Sequence, residues 1–259
     1  MKNGVRYIDQ EVLKCIRDQY VATNSRIIFI DYDGTLIPFT KFPDQAVMNK
    51  KAEKIITQLA EDLRNKVVII SGRDRHFLQH QFSMANITLI AEHGFFIKEP
   101  HKEWITNIFL GLDWKDRVAP VLKKFVDRCS GSFIEEKEAS LAWHFRNADD
   151  GTIRLQINKL RNELQKIIKN ESQLEILEGK KVLEIKSVLY DKGSAAAELL
   201  AVQHYMFTMA IGDDITDEDL FKAMPEDAFT IKVGNSSTLA RYHLKRQEQL
   251  YQLFQELLN

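Results

Sequence analysis

The chain has 259 residues, which exceeds one average domain and falls short of two full-size ones, so one large domain with a smaller insert is expected. Hydrophobic residue types make up 44% and charged types 28%, a composition that can bury a core and excludes an intrinsically disordered chain. Lys and Arg number 36 against 37 Asp and Glu, and this balance argues against a nucleic-acid binder that relies on a broad basic surface.

Cysteine content and apolar patterning bear on the cellular setting. Cys15 and Cys129 are too few for a disulfide scaffold and lack metal-ligand spacing, so both are expected to be small buried residues. The N-terminal residues contain no apolar segment of the signal-peptide type. Charged and polar residues interrupt the longest apolar stretch, 195–211, which predicts a helix followed by a strand and not a membrane span. We expect a soluble, cytoplasmic protein with no membrane or nucleic-acid partner.

The first part of the chain alternates helical and strand patterns. Apolar residues at three- and four-residue spacing predict helices over 8–20 and 48–63. Short continuous apolar runs at 26–30, 67–70 and 87–91 predict strands buried on both faces, as in a parallel sheet. Strands that alternate with helices in this way indicate an α/β fold.

A different pattern occupies the middle of the chain. Amphipathic helices are predicted over 114–125 and 153–168. Residues 141–146 alternate between apolar and polar types, which predicts a strand buried on one face only. Residues 175–186 predict a hairpin with its turn at Glu178-Gly179-Lys180. This block is typical of an open-faced sandwich, in which helices cover one face of an antiparallel sheet.

Buried-strand patterns return in the last part of the chain, at 207–211 and 229–233. We therefore expect an α/β core with a parallel sheet, formed by residues 1–107 and 188–259. An inserted α+β domain of residues 108–187 interrupts this core.

The strongest local signal is the segment Asp31-Tyr-Asp33-Gly34-Thr35, directly after the first buried strand. In open α/β sheets, ligands bind beyond the carboxyl ends of the strands. Two carboxylates two residues apart suit a metal-assisted phosphate site, where one attacks phosphorus and the other handles the proton. The glycine lets the backbone approach the phosphate. The alternative is an ordinary Asp/Gly turn after a strand.

Three further segments lie in matching places. Ser71-Gly72 follows one predicted strand, Lys192 begins a helix, and the acidic segment 212–218 follows another strand. Each alone has an ordinary explanation, namely a helix cap, a surface charge or an acidic first turn. Four carboxylates crowded at a strand end repel one another unless a cation is present, and oxygen ligands favour Mg²⁺. Their joint occurrence favours the phosphate site.

These segments resemble the four motifs of the haloacid-dehalogenase phosphatase superfamily, namely Asp31-x-Asp33-Gly-Thr, Ser71, Lys192 and Gly-Asp213-Asp214. The resemblance narrows to trehalose-6-phosphate phosphatases, particularly phosphatase domains fused to trehalose-phosphate synthases. It covers most of residues 26–235, and its most specific segment, GSFIEEKEASLAWHFR, lies at 131–146 in the predicted insert. One departure is Lys186-Ser187, where the family usually has Arg-Pro. It affects the contacts expected at Lys186, because Lys lacks the bidentate geometry of Arg.

The resemblance implies a Rossmann-like core of the haloacid-dehalogenase type with a cap domain, and hydrolysis of trehalose 6-phosphate. It implies that Asp31 is the nucleophile that forms an aspartyl-phosphate, and that Asp33 is the general acid and base. It also implies that Ser71, Gly72 and Lys192 bind the phosphate.

The resemblance further implies Mg²⁺ as the cofactor. The Asp31 carboxylate, the Asp33 backbone carbonyl and the Asp213 carboxylate would hold the ion. Asp214 and Asp217 would lie next to this set and orient waters or the lysine. A fused or associated trehalose-phosphate synthase is the implied partner.

The insert would select the sugar. Residues two apart share a face of a strand, so Glu135 and Lys137 are expected on one face, and Glu184 shares a face with Lys186. By the resemblance, Glu135, Lys137 and Glu184 contact sugar hydroxyls, whereas spacing alone favours a solvated outer face. His93 and His144 remain open between a structural and a ligand-binding role.

Three other functions stay open from the sequence. One is a phosphatase for a different sugar phosphate. Another is a non-catalytic regulatory domain of a synthase assembly, against which stands the presence of Asp31, Asp33, Lys192 and Asp213. The third is a receiver-type phospho-acceptor module, which would not need an insert of about 80 residues for its fold.

Overall fold

The computed structural model describes residues 5–83, 86–106, 111–169 and 171–259. The chain forms two compact units, Met1–Thr106 with Asp191–Asn259, and Asn107–Tyr190. The boundaries expected from the sequence, 107/108 and 187/188, differ from these by one and three residues. Residues 188–190 are grouped with the insert in the structure.

The larger unit is built on an eight-stranded sheet. With strands and helices numbered along the whole chain, the strands of this unit are β1 (Arg6–Tyr7), β2 (Arg26–Asp31), β3 (Asn65–Ile70), β4 (Ile87–Ala91), β5 (Phe96–Lys98), β10 (Phe207–Gly212), β11 (Phe229–Val233) and β12 (Tyr242–Leu244). Their order is β1-β12-β11-β10-β2-β3-β4-β5, and all neighbours are parallel except β4 and β5. The predicted α/β class with a mainly parallel sheet is confirmed.

Helices cover this sheet because its strands are apolar on both faces. Within the described residues, the helices of this unit are α1 (Gln10–Ala22), α2 (Lys50–Glu61), α3 (Arg75–Gln81), α6 (Lys192–Val202), α7 (Thr216–Ala223) and α8 (Glu248–Leu258). Leu199 of α6 and Leu220 of α7 join Ile27 and Phe29 of β2 in one buried cluster. Helix α2 packs on β3 and on α8, and α1 packs on α8. The central strands β2 and β10 are therefore buried along their length, and β3 is buried except at Lys66.

The register of the three central strands sets where their carboxyl ends lie. Asp31 is opposite Ile70 of β3, and Ile30 is opposite Ile211 of β10. The chain passes from β2 to β3 on one side and later returns to β10 on the other side. Such a reversal of strand order is where α/β sheets bind ligands.

The smaller unit has two layers, with its helices on one face of an antiparallel sheet. Its elements are α4 (Trp114–Arg128), β6 (Phe133–Glu136), β7 (Leu141–His144), α5 (Asp150–Ile168), β8 (Leu174–Gly179) and β9 (Val182–Ser187). The strand order is β6-β7-β9-β8, all antiparallel. One sheet face packs Trp143 and Ile185 against Leu122 of α4 and Leu160 of α5. This is the open-faced sandwich that the sequence predicts.

Local structure differs from the sequence expectations at several places. Helix α2 begins after the N-cap Asn49 and ends at Glu61, so Leu63 lies beyond it and is exposed. Cys129 is buried, but Cys15 is exposed, and its expected burial was wrong. Strand β7 was expected to be buried on one face only, yet Ala142 on the other face is also buried.

The turn between β8 and β9 is shifted from its predicted place. Strand β8 continues to Gly179, and Lys181 adopts the left-handed conformation that closes the turn. Among the described residues, no helix is both long and apolar enough to cross a membrane.

Candidate active site

Three strand ends bring the acidic and hydroxyl side chains of the core together. Asp31 ends β2, Ser71 follows β3, and Asp213 follows β10. All three residues are buried. Because the strands are parallel and adjacent, side chains that are distant in the sequence meet at one edge of the sheet.

Lys192 lies between two of the carboxylates. Its Nζ donates to Asp31 Oδ1 at 2.5 Å and to Asp217 Oδ1 at 2.8 Å. Lys192 is the first residue of α6, which begins with a capping box formed by Asp191 and Ser194. The start of this helix therefore fixes the position of the lysine.

Asp217 also organises the loop after β10. Its Oδ2 accepts hydrogen bonds from the backbone N–H groups of Asp213 and Asp214, both at 2.8 Å. A Cβ atom on Gly212 would lie 2.1 Å from Asp217 Cγ, so this approach requires glycine. Asp217 thus ties Lys192, the loop and helix α7 to one another.

The protonation of this cluster reflects burial and charge. Burial raises the pKa of Asp31 well above its usual range; Lys192 opposes the rise, and the Asp217 and Asp213 carboxylates add to it. Burial alone would lower the pKa of Lys192, but Asp217 and Asp31 together raise it above its ordinary value. The lysine is therefore charged, and the cluster favours additional positive charge.

The donor atoms of the cluster fit a divalent cation. Carboxylate oxygens of Asp31, Asp213 and Asp217 all lie within 4.8 Å of one another. Asp31 Oδ2 is buried and has no hydrogen-bond partner among the described residues. Burying an ionised carboxylate costs free energy unless a positive charge or hydrogen bonds compensate it. Hard oxygen donors are the ligands that Mg²⁺ prefers. The residues present thus suit the ion that the sequence predicts.

The glycine of the Asp31-Tyr-Asp33-Gly34-Thr35 segment has a local structural reason. Gly34 has φ +88°, a left-handed conformation that favours glycine, and a Cβ atom there would lie 2.5 Å from Asp213 Oδ2. The hydroxyl of Thr35 donates to Asp213 Oδ1 at 3.4 Å. This turn therefore packs directly against the acidic cluster.

Asp33 is bound by Arg73, which was not among the predicted site residues. Arg73 Nε donates to Asp33 Oδ2 at 2.7 Å, and Arg73 Nη2 donates to Asp33 Oδ1 at 2.6 Å. The available signal was the position of Arg73, two residues after Ser71 at a strand end.

Ser71 and Gly72 lie next to His93. The Ser71 hydroxyl accepts a hydrogen bond from the backbone N–H of Arg73 at 3.2 Å. A Cβ atom on Gly72 would lie 2.5 Å from the His93 ring, so glycine lets the histidine pack against this loop. This contact gives His93 a packing role beside the segment.

The second unit places its own predicted residues together on the polar face of the sheet. Glu135 of β6 is opposite Ala142 of β7, which is opposite Glu184 of β9, so the two glutamates share a face. Lys137 Nζ donates to Glu184 Oε1 at 3.0 Å, and the Ser140 hydroxyl donates to the same oxygen at 2.5 Å. Ser140 was not predicted, because a serine in a loop carries no distinctive pattern.

His144 extends this polar group. Its Nε2 lies 2.7 Å from Glu135 Oε2, and its ring stacks on Phe133 with centroids 4.8 Å apart. Burial would raise the pKa of Glu135, but Lys137 and His144 outweigh it and lower the value. The face thus presents an ionised carboxylate held by a lysine and a histidine.

Lys186 lies near the C-terminal end of β9 and bonds to neighbouring residues of the same unit. Its Nζ donates to Glu175 Oε1 at 2.8 Å and to the backbone carbonyls of Ser187 and Tyr190 at 2.7 and 2.8 Å. Trehalose-6-phosphate phosphatases usually have arginine at this position, whereas Lys186 makes three hydrogen bonds within its own unit.

Comparisons with known proteins agree with these features. The sequence model of the trehalose-phosphatase family matches residues 29–248. The chain is 34% identical over 257 residues to a bifunctional trehalose-6-phosphate synthase/phosphatase from Thermoproteus tenax, a match that covers 99% of this chain and 35% of that protein. It is 33% identical over 235 residues to a trehalose-phosphatase from Schizosaccharomyces pombe, covering 85% of this chain and 29% of that protein. The chain thus spans about a third of the length of these relatives.

Solved structures give the same result. The structure of the C-terminal domain of C. albicans trehalose-6-phosphate phosphatase has a TM-score of 0.90 at 27% identity, with 98% of each chain covered. A second fungal structure, Aspergillus fumigatus trehalose-6-phosphate phosphatase, has a TM-score of 0.70 at 33% identity and covers 99% of each chain. The family match extends over most of the chain, and the chain belongs to the trehalose-phosphatase family.

Proposed function

We propose that this protein hydrolyses trehalose 6-phosphate to trehalose and phosphate with Mg²⁺ as cofactor. The observation that carries the proposal is the buried cluster of Asp31, Asp213 and Asp217 around Lys192, in a chain of the trehalose-phosphatase family. A buried set of carboxylates with one lysine suits the transfer of an anionic phosphoryl group through positioning and charge stabilisation.

Asp31 is the proposed nucleophile. In the first step, Asp31 forms a bond to phosphorus, the bond from phosphorus to the sugar oxygen breaks, and that oxygen takes a proton from Asp33. In the second step, water forms a bond to phosphorus, its proton passes to Asp33, and the Asp31 carboxylate is released. Asp33 therefore ends the cycle in the state in which it began.

Phosphate binding is the proposed role of three further core residues. Lys192 is charged and already within hydrogen-bond distance of Asp31, so it can neutralise phosphoryl oxygens beside the nucleophile. Ser71 contributes a hydroxyl and Gly72 a backbone N–H at the end of β3.

Mg²⁺ would be held by the carboxylates of Asp31 and Asp213 and by the backbone carbonyl of Asp33. Asp217 supports this set by binding Lys192 and the backbone N–H groups of Asp213 and Asp214. When bound, the ion supplies positive charge that offsets the charge of the phosphoryl group.

Sugar recognition is the proposed role of Glu135, Lys137 and Glu184 in the second unit. They lie together on one sheet face and present charged groups that can hydrogen-bond to sugar hydroxyls. A fused or associated trehalose-phosphate synthase is the proposed partner, because the relative named as a bifunctional synthase/phosphatase is about three times as long as this chain. The cytoplasm is the proposed location.

The decisive experiment measures phosphate release from trehalose 6-phosphate with and without Mg²⁺. A panel with sucrose 6-phosphate, glucose 6-phosphate and mannosyl phosphates gives the relative kcat/KM values. We expect trehalose 6-phosphate to be preferred and Mg²⁺ to be required. A preference for another sugar phosphate would show that trehalose 6-phosphate is not the main substrate. If no sugar phosphate of the panel releases phosphate, the result would support a regulatory domain.

A further inference from the structure

Arg73 holds both carboxylate oxygens of Asp33 in the paired geometry described above, at 2.7 and 2.6 Å. Two parallel hydrogen bonds from a planar guanidinium fix the plane of a carboxylate as well as its position. The pair is mostly shielded, with the arginine side chain 11% and the aspartate side chain 26% exposed. Such a contact is better defined than an ion pair between fully solvated side chains.

Arg73 is itself held in place by its surroundings. Its guanidinium lies over the Phe77 ring at 4.6 Å, and Phe77 packs edge-on against Tyr32 with ring centroids 5.6 Å apart. The backbone N–H of Phe77 donates to Asp74, the N-cap of α3, at 2.9 Å. The start of α3 therefore presents the arginine to Asp33 in one orientation.

We propose that Arg73 is the positioning residue for the proton-transfer group Asp33. This inference rests on the proposed function, in which Asp33 donates a proton to the sugar oxygen and later takes one from water. One hydrogen bond from Arg73 is enough to orient the carboxyl group while its other oxygen carries the proton. Without the arginine, the Asp33 side chain can adopt several rotamers, and only some of these rotamers reach the reacting oxygen.

The test uses a variant that removes only the charged group. Arg73→Met keeps an unbranched apolar side chain and loses the guanidinium, while Arg73→Lys keeps the charge without the paired geometry. Arg75→Met is the matched control, because Arg75 also lies over an aromatic ring, Phe96, at 4.6 Å. Each variant is assayed on trehalose 6-phosphate and on 4-nitrophenyl phosphate, and circular dichroism confirms folding.

The two substrates separate proton transfer from phosphate binding. The sugar oxygen needs a proton as it leaves, whereas nitrophenolate leaves readily without one. General acid–base catalysis contributes about 10²–10⁴-fold. We expect Arg73→Met to lose about 10- to 100-fold in kcat/KM on trehalose 6-phosphate and less than about threefold on the aryl phosphate. Arg73→Lys should recover only part of the loss, and Arg75→Met should match the unaltered chain on both substrates.

A double variant provides an independent readout. If Arg73 acts through Asp33, adding Arg73→Met to Asp33→Asn should cause almost no further loss on trehalose 6-phosphate. Inhibition by inorganic phosphate should be unchanged in Arg73→Met.

Equal losses on both substrates, together with weaker inhibition by phosphate, would overturn the inference and assign Arg73 to direct phosphate binding. Additive losses in the double variant would also overturn it. If the unaltered chain hydrolyses neither substrate, the proposed function itself fails, and this result is distinct from a failure confined to Arg73.

Discussion

Lys192 shows how the tertiary environment sets the role of a single residue. A lysine is usually a solvated surface charge, but this one is buried and bonds to Asp31 and Asp217. Burial of an ammonium group is costly unless carboxylates compensate it, and here their charge prevails and raises the lysine pKa. Lys192 is therefore a fixed positive charge at the edge of the sheet where the phosphoryl group is proposed to bind.

Asp31→Asn tests the nucleophile at the residue scale. The amide keeps the volume of the carboxylate but cannot form the acyl phosphate, so we expect less than about one per cent of the activity to remain, a barrier increase above ~3 kcal/mol. Steady-state phosphate release from trehalose 6-phosphate provides the measurement.

Folding of this variant should be retained, because the substitution removes one of several carboxylates that repel one another and leaves Asp217 to pair with Lys192. Its thermal midpoint should stay within a few degrees of the unaltered chain. Asp18→Asn, at an exposed position of α1, is the matched control and should keep full activity. Substantial turnover by the Asp31 variant would refute the nucleophile assignment.

Gly212→Ala tests the close approach of Asp217. A Cβ atom would lie 2.1 Å from Asp217 Cγ, so Asp217 must move and its bonds to Lys192 and to the loop must change. Overpacking of this kind costs about 1–3 kcal/mol. We expect a lower thermal midpoint and a loss of activity. Gly111→Ala, whose added Cβ meets no atom within 4 Å, is the control, and an equal effect of both substitutions would contradict the prediction.

At the scale of the element, the antiparallel sheet of the second unit has one apolar face and one polar face. Alternate residues of β9 differ in their surroundings, since Leu183 and Ile185 join the apolar cluster while Glu184 bonds to Lys137 and Ser140. Glu184 is nevertheless buried, which shows that its face is not an ordinary solvated surface. The apolar face of the strand therefore packs in the core of the unit, while its polar face carries the residues proposed to recognise the sugar.

Glu184→Gln tests this division of roles. The amide keeps the shape of the side chain but loses the charge, and a hydrogen bond with a charged group is worth roughly 1.5–3 kcal/mol. We expect a loss of about 10- to 150-fold in kcat/KM on trehalose 6-phosphate. The rate on 4-nitrophenyl phosphate should be nearly unchanged, because that substrate has no sugar.

The control for this element is Glu178→Gln on the neighbouring strand β8, where the glutamate side chain is 48% exposed and pairs with Arg161. It should leave both rates unaltered. Similar losses on the two substrates in the Glu184 variant would show that Glu184 supports folding and not sugar recognition.

At the scale of the whole molecule, metal binding should be coupled to stability. An ion that binds the folded chain at 100 times its Kd adds about 2.7 kcal/mol to the free energy of unfolding. We expect Mg²⁺ to raise the thermal midpoint by several degrees. EDTA should stop phosphate release and Mg²⁺ should restore it, while Ca²⁺ should support it poorly because its coordination is larger and looser.

Asp213→Asn provides the matched control for metal binding, because it removes a proposed ligand from the loop after β10. Its thermal midpoint should no longer respond to Mg²⁺. Full activity in excess EDTA, or an undiminished response of the Asp213 variant, would contradict the metal assignment.

The sequence by itself predicted the α/β class, the strands β2, β3, β4, β10 and β11, and the two-layer insert. These features depend on local patterns, since continuous apolar runs and two- or four-residue periods are visible within one segment. The short strands β1, β5 and β12 were not predicted, because two- or three-residue strands show no period. Helix α8 was also not predicted, although its buried residues Leu250, Leu253, Phe254 and Leu257 follow helical spacing.

The candidate site was likewise predicted only in part from the sequence. The sequence by itself predicted Asp31, Asp33, Lys192 and Asp213 as site residues, because their positions at strand ends and helix starts are visible locally. Only the tertiary structure decided which atoms meet: Lys192 bonds to Asp31 across 161 positions, and Asp33 pairs with Arg73 across 40. Such contacts depend on the order and register of the strands, which no single segment of sequence specifies.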